Sequence, residues 1–143
     1  MYKNLILVGS LLLLALIPFR ADAKDYNQYF EERQAIQAII VTEANKYGVD
    51  PGLAIFIAAN ESDFNPKAKS KISTATGIFQ FVIGTWKAYC AGDRTDATDN
   101  IRCAVKLLSE PRGIKHWIAD PVMFRKLYAA GFVTESGLLA RSE

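Results

Sequence analysis

Residues 53–63, LAIFIAANESD, constrain the fold more than any other stretch of the chain. Seven consecutive apolar residues, Leu53 to Ala59, run through Asn60 into Glu61. Asp50-Pro51 just ahead of them has the form of a helix start, an N-cap carboxylate followed by proline at the first helical position. A helix apolar on every face belongs in the middle of a core. The spacing therefore predicts a buried helix over about 51–61 that carries a carboxylate at its C-terminal end. Both the helix dipole and burial disfavour the ionised form there, so the Glu61 pKa is expected to lie above the ordinary carboxylate range. A carboxylic acid still protonated near neutral pH is what protonation of a leaving oxygen requires. The plainer alternative is a glutamate that reaches the surface as its helix ends.

The rest of the chain supplies the elements that would enclose such a helix. Residues 25–47 carry Tyr29, Phe30, Ile36, Ile40, Ala44 and Tyr47 at three- and four-residue spacing, an amphipathic helix with Gly48 suited to its C-terminal cap. Residues 62–77, SDFNPKAKSKISTATG, form a polar loop in which short strands around 68–76 remain open. IFQFVIGTWKAYC, NIRCAVKLLSE and ADPVMFRKLYAAG give further apolar or helical segments, the last with a second Asp-Pro start and a terminal Gly131. No repeat or linker divides them, so one small, mainly α-helical domain is expected over residues 24–143.

The first 23 residues stand apart. Lys3, the apolar run Leu5–Ile17 and the A-x-A site Ala21-Asp22-Ala23 have the form of a secretory signal peptide. The run is shorter than the roughly 20 residues a membrane span needs, so a cleaved leader is expected over a retained anchor. Export to the periplasm or the cell exterior follows from that expectation, with no stable membrane span after cleavage. Without Lys3, Arg20 and Asp22 the mature chain holds 15 basic and 14 acidic residues. A net charge of +1 excludes electrostatic capture of nucleic acid as the main activity. Cys90 and Cys103, with 12 residues between them, are expected to form a disulfide in an oxidising compartment, two buried thiols being the alternative. Two cysteines and the lone His116 make too small a ligand set for a closed zinc site, and neither metal nor cofactor is expected.

The residues after Glu61 carry a resemblance. ESDFNPKAKS, then GIFQF and TW, is similar to the signature of lytic transglycosylases, whose domain is related to goose-type lysozymes. The matching positions are Glu61, Ser62, Phe64, Pro66, Ala68, Ser70, Gly77, Ile78, Phe79, Gln80 and Thr85. Asn100 resembles the asparagine that opens the family's next helix. The resemblance covers roughly residues 36–110. It implies a lysozyme-like fold and cleavage of the β-1,4 bond between N-acetylmuramic acid and N-acetylglucosamine in peptidoglycan. In that family a single acid/base, here Glu61, acts without water and leaves a 1,6-anhydro sugar. Ser62, Ser70, Phe79 and Gln80 become candidate substrate contacts, as does Tyr128 in LYAAG. Asp63, two residues from Glu61, is a poor catalytic partner and is expected to be a loop or cap residue. Phe81, Trp86 and Trp117 are expected in the core, with His116 at the surface.

Three departures from the pattern are visible. Thr74-Ala75 replaces the expected Gly-Ala pair, with one extra residue ahead of it. Ile83 stands near the usual proline, and the late Tyr-Asn pair is Tyr128-Ala129. A lysozyme-type hydrolase of the same bond, and a non-catalytic glycan-binding accessory domain of an envelope machine, are therefore the alternatives. The expected partner is the glycan strand, met by a monomer. A secretion, conjugation or phage assembly is the kind of machine that would recruit so small an enzyme; wall turnover, assembly and phage entry all stay open as biological roles.

Overall fold

The computed structural model describes residues 23–140; the expected leader, Ala23 apart, lies outside them. Six helices follow in order: α1 Ala23–Tyr47, α2 Pro51–Ser62, α3 Ile83–Tyr89, α4 Ala97–Ser109, α5 Lys115–Ile118 and α6 Pro121–Ala129. Their starts follow local chemistry. The carboxylates of Asp50, Asp96 and Asp120 accept from backbone N–H groups of Gly52, Asp99 and Val122, and proline occupies the first turn of α2 and α6. Gly48, at φ 67°, provides the left-handed turn that ends α1.

The core is built around α2. Leu53, Ala54, Ile57 and Ala58 are buried, and Ile55, Phe56 and Ala59 are half-buried against the same cluster. Phe56 meets Phe132 of the C-terminal segment, ring centroids 5.3 Å apart. α1 lies across α2 and α4, burying Ile36, Ile40 and Ala44, while α4 contributes Ile101, Ala104, Val105 and Leu108. Each of the larger of these aliphatic side chains contributes about 2 kcal/mol by leaving water.

The apolar face of α1 is shorter than its sequence spacing indicates. Tyr29 and Phe30 are 49% and 53% exposed, and burial begins only at Ile36. The reason is length: 25 residues of helix extend about 37 Å, whereas the 12 and 13 residues of its partners cover only about half of that. No strand forms among the described residues. The segment after α2 makes only the isolated bridges Lys69↔Thr76 and Thr76↔Phe81, and a third bridge, Val133↔Leu139, closes the C-terminal turn. Cys90, at the end of α3, is disulfide-bonded to Cys103 on α4, with Cα atoms 5.5 Å apart. No helix of the described residues is long and apolar enough to cross a membrane.

Candidate active site

Glu61 sits in the last turn of α2 and opens into a cleft of about 390 Å³. The opposite walls come from the 68–76 loop, the turn at 77–82 and the α5–α6 region. Desolvation by its half-buried position raises the Glu61 carboxyl pKa to about 7. The negative charge of Asp120 pushes in the same direction, and the positive charge of Lys126 opposes it in part. The main cause of the shift is burial.

The carboxylate two residues later faces elsewhere. Asp63 is the C-cap of α2 in the left-handed region, φ 54°, and Phe64 follows at φ 64°. Two consecutive non-glycine residues in this region need support from outside the helix. Arg33 of α1 forms an ion pair with the Asp63 carboxylate, Tyr29 donates a hydrogen bond to it, and the Arg33 guanidinium lies 4.9 Å over the Phe64 ring. These contacts hold the Asp63 carboxyl below its ordinary range, Arg33 being the chief cause. Asp63 is thus a tethered cap, and it leaves Glu61 without a neighbour in sequence to share its proton.

The loop facing Glu61 is shaped by a buried amide. Asn100, fully buried on α4, accepts at Oδ1 from the Phe79 N–H (2.9 Å) and donates from Nδ2 to the Arg94 carbonyl (2.8 Å). A Cβ on Gly77 (φ 84°) would lie 2.2 Å from Asn100 Nδ2 and 2.5 Å from the Arg94 carbonyl oxygen, so only glycine permits this approach. From the other side the Trp117 indole donates to the Phe79 carbonyl at 3.2 Å. Phe81 packs edge-on to Trp86 and Trp117, all three rings buried as expected, although Phe81 and Trp117 also reach the cleft wall.

Four of the sequence candidates meet in this cleft: Glu61, Ser70, Phe79 and Gln80. Gln80, at φ 49°, donates from Nε2 to the carbonyls of Gly77 (2.8 Å) and Ala68 (3.3 Å), leaving Oε1 as an acceptor. Ser70 Oγ accepts from the N–H groups of Ile72 and Ser73, which leaves its proton free to donate. Ser62 and Tyr128 are not brought to the cleft wall. Ser62 donates to the Ile78 carbonyl at 2.8 Å and so ties the end of α2 to the turn carrying Phe79 and Gln80. Tyr128 is exposed, stacks on Phe124 and donates to Glu135 at 3.3 Å.

Sequence reasoning missed three contributors. Asp120 lines the cleft as a second carboxylate; its Asp-Pro context identified it only as a helix cap. Lys126 acts on Glu61 through space from α6 and has no local signal. Ile72, 97% exposed, stands at the tip of the loop bordering the cleft, where an isolated apolar residue in a polar segment was the available clue. No group of three or more His, Cys, Asp or Glu side chains among the described residues is placed to hold a metal ion.

Residues 38–131 match the family described as the transglycosylase SLT domain. The matched span opens in α1, includes Glu61 and every residue of the cleft, and closes at Gly131 after α6. No solved structure matches the chain.

Proposed function

The chain belongs to the transglycosylase SLT domain family, and from that membership we propose that it is a peptidoglycan lytic transglycosylase with Glu61 as its single acid/base. The observation that carries the proposal is the half-buried Glu61 carboxyl in an open cleft, its pKa raised to about 7. In the protonated state it gives its proton to the oxygen of the β-1,4 bond as the bond to the anomeric carbon of N-acetylmuramic acid breaks. The resulting carboxylate accepts the proton of that sugar's 6-hydroxyl, whose oxygen bonds to the anomeric carbon. A 1,6-anhydro end forms, no water is consumed, and Glu61 returns to its starting state.

Ser70 and Gln80 would bind the sugar. The free acceptor of Gln80 suits an acetamido N–H, and the Ser70 hydroxyl suits a ring or acetamido oxygen. Phe79 is fully buried behind the cleft, edge-on to Trp117, and backs the wall rather than offering a face to the sugar. Ser62 acts as a positioning residue through the Ile78 carbonyl, while the exposed Tyr128 hydroxyl donates to Glu135 outside the cleft wall. Such an enzyme works outside the cytoplasm, where its substrate lies.

One observation favours a second reading. Asp120 lines the cleft with Glu61, and glycosidases that hydrolyse use two carboxylates flanking the bond. Hydrolysis would make Asp120 the residue that orients water. The primary test is release of muropeptides from purified peptidoglycan by wild type and by Glu61→Gln. Glu61→Gln is expected to lose almost all release while remaining folded by circular dichroism. A folded Glu61→Gln variant that still cleaves strands would remove the assignment.

A further inference from the structure

The loop that carries Ser70 and Gln80 is held from behind by a residue outside the cleft. Between residues 68 and 82 the chain passes three times alongside itself, joined by the bridges Lys69↔Thr76 and Thr76↔Phe81. Few backbone bonds tie these passes together. Ser70 N–H donates to the Ala75 carbonyl, Gly77 N–H donates to that of Ala68, and Thr76 and Phe81 exchange a reciprocal pair. Residues 71–74 are exposed. A loop bonded this sparsely opens cheaply unless something outside it fixes its shape.

Arg94 supplies that restraint. It stands in the turn between α3 and α4, and one guanidinium nitrogen, Nη1, donates to the Thr74 carbonyl at 2.7 Å and to the Phe81 carbonyl at 3.0 Å. It makes no ion pair within 4.0 Å among the described residues, and its charge strengthens these two bonds instead. Its own backbone is anchored. The Arg94 carbonyl accepts from Asn100 at 2.8 Å, the Asp93 N–H donates to Asp99 at 3.0 Å, and the Cys90–Cys103 disulfide closes the base of the turn. One further bond completes the arrangement. Ile83 N–H donates to Thr74 Oγ1 at 3.1 Å, a bond that a proline at 83 could not give and a glycine at 74 could not accept. The departures from the family pattern at these two positions thus compensate each other.

We propose that Arg94 is a positioning residue that latches the 68–82 loop to the start of α4, so that Ser70 and Gln80 meet the sugar at a fixed spacing from Glu61. This rests on the transglycosylase reading above. Arg94 is not part of the cleft wall, so it acts only through the loop. Its loss weakens substrate binding and leaves the proton transfer at Glu61 unaltered.

The test compares wild type, Arg94→Ala and Arg94→Lys on soluble glycan strands, at a temperature where circular dichroism shows all three folded. Arg94→Ala is expected to raise KM roughly tenfold, with kcat and the pH–rate profile unchanged. Both bonds leave a single nitrogen, so a lysine ammonium can supply them, and Arg94→Lys should recover most of the loss. Amide hydrogen exchange is read on the same three proteins. The N–H groups of Thr76, Phe81 and Ile83 should exchange faster in Arg94→Ala than in wild type, while those of α2 keep their wild-type rates. An unchanged KM, a fall in kcat alone, a lysine no better than alanine, or loop amides that exchange no faster than those of α2 would overturn the latch. Wild type that cleaves no strand would remove the enzymatic function, and the exchange comparison then decides the latch by itself.

Discussion

Replacing Glu61 by glutamine separates the chemistry of this residue from its effect on stability. The folded pKa is about 7, against an ordinary value of 4.5. Because the pKa of an acid is raised on folding, ionisation costs stability. That cost is absent below about pH 4.5, grows as pH rises toward 7, and levels off above it. A shift of this size corresponds to about 3 kcal/mol, or about 2 kcal/mol once the partial exposure of the carboxyl is allowed for. Glutamine keeps the shape and never ionises. Glu61→Gln is therefore expected to match wild type in stability near pH 4 and to exceed it by about 2 kcal/mol at pH 8, a rise in Tm of about 8 °C. Urea denaturation of both proteins at a series of pH values gives the difference directly. A stability difference that is constant with pH, or one that is largest in acid, would refute the claim that Glu61 is held in the cleft at a cost to the fold.

Asp120→Asn preserves the α6 cap but removes the charge that raises Glu61, so the alkaline limit of activity should move to lower pH; Lys126→Met should move it to higher pH, and pH–rate profiles check both. Replacing Cys90 and Cys103 together by alanine should cost about 2–4 kcal/mol in denaturant unfolding, with no change in the product formed; two free thiols titrating in native, unreduced protein would contradict the bond. Asn100→Ala leaves the Phe79 N–H and the Arg94 carbonyl without their partner, which should cost about 2–4 kcal/mol, measured by thermal unfolding, and reduce glycan cleavage at temperatures where the variant is still folded.

What the sequence revealed and what it hid divide along a physical line. The capped start of α2 and its apolar run are local, and each follows from a few adjacent residues. Helical periodicity also located α1 and α4. It could not show that Tyr29 and Phe30 are exposed, because that depends on how far the shorter partner helices reach along α1. The directions of Ser62 and Tyr128 were likewise beyond it, since each side chain is captured by a partner, Ile78 or Glu135, whose position only the tertiary fold fixes. The charges around Glu61 are the clearest case. Asp120 lies 59 residues further along the chain and looks like an ordinary helix cap until folding places it in the cleft. Asn100 was noticed by resemblance, but its work, bridging Phe79 and Arg94, became visible only when α4 was packed behind the loop.

The central proposal is that Glu61 protonates the departing glycosidic oxygen and takes the proton of the muramic acid 6-hydroxyl in return, and that water takes no part. Mass spectrometry of the muropeptides released by wild-type protein from purified peptidoglycan tests it most directly. The account predicts products ending in 1,6-anhydro-N-acetylmuramic acid, each lighter by one water than the corresponding hydrolysis product. Products with reducing ends would contradict it, leaving Glu61 as the acid and making Asp120 the candidate that directs water to the bond.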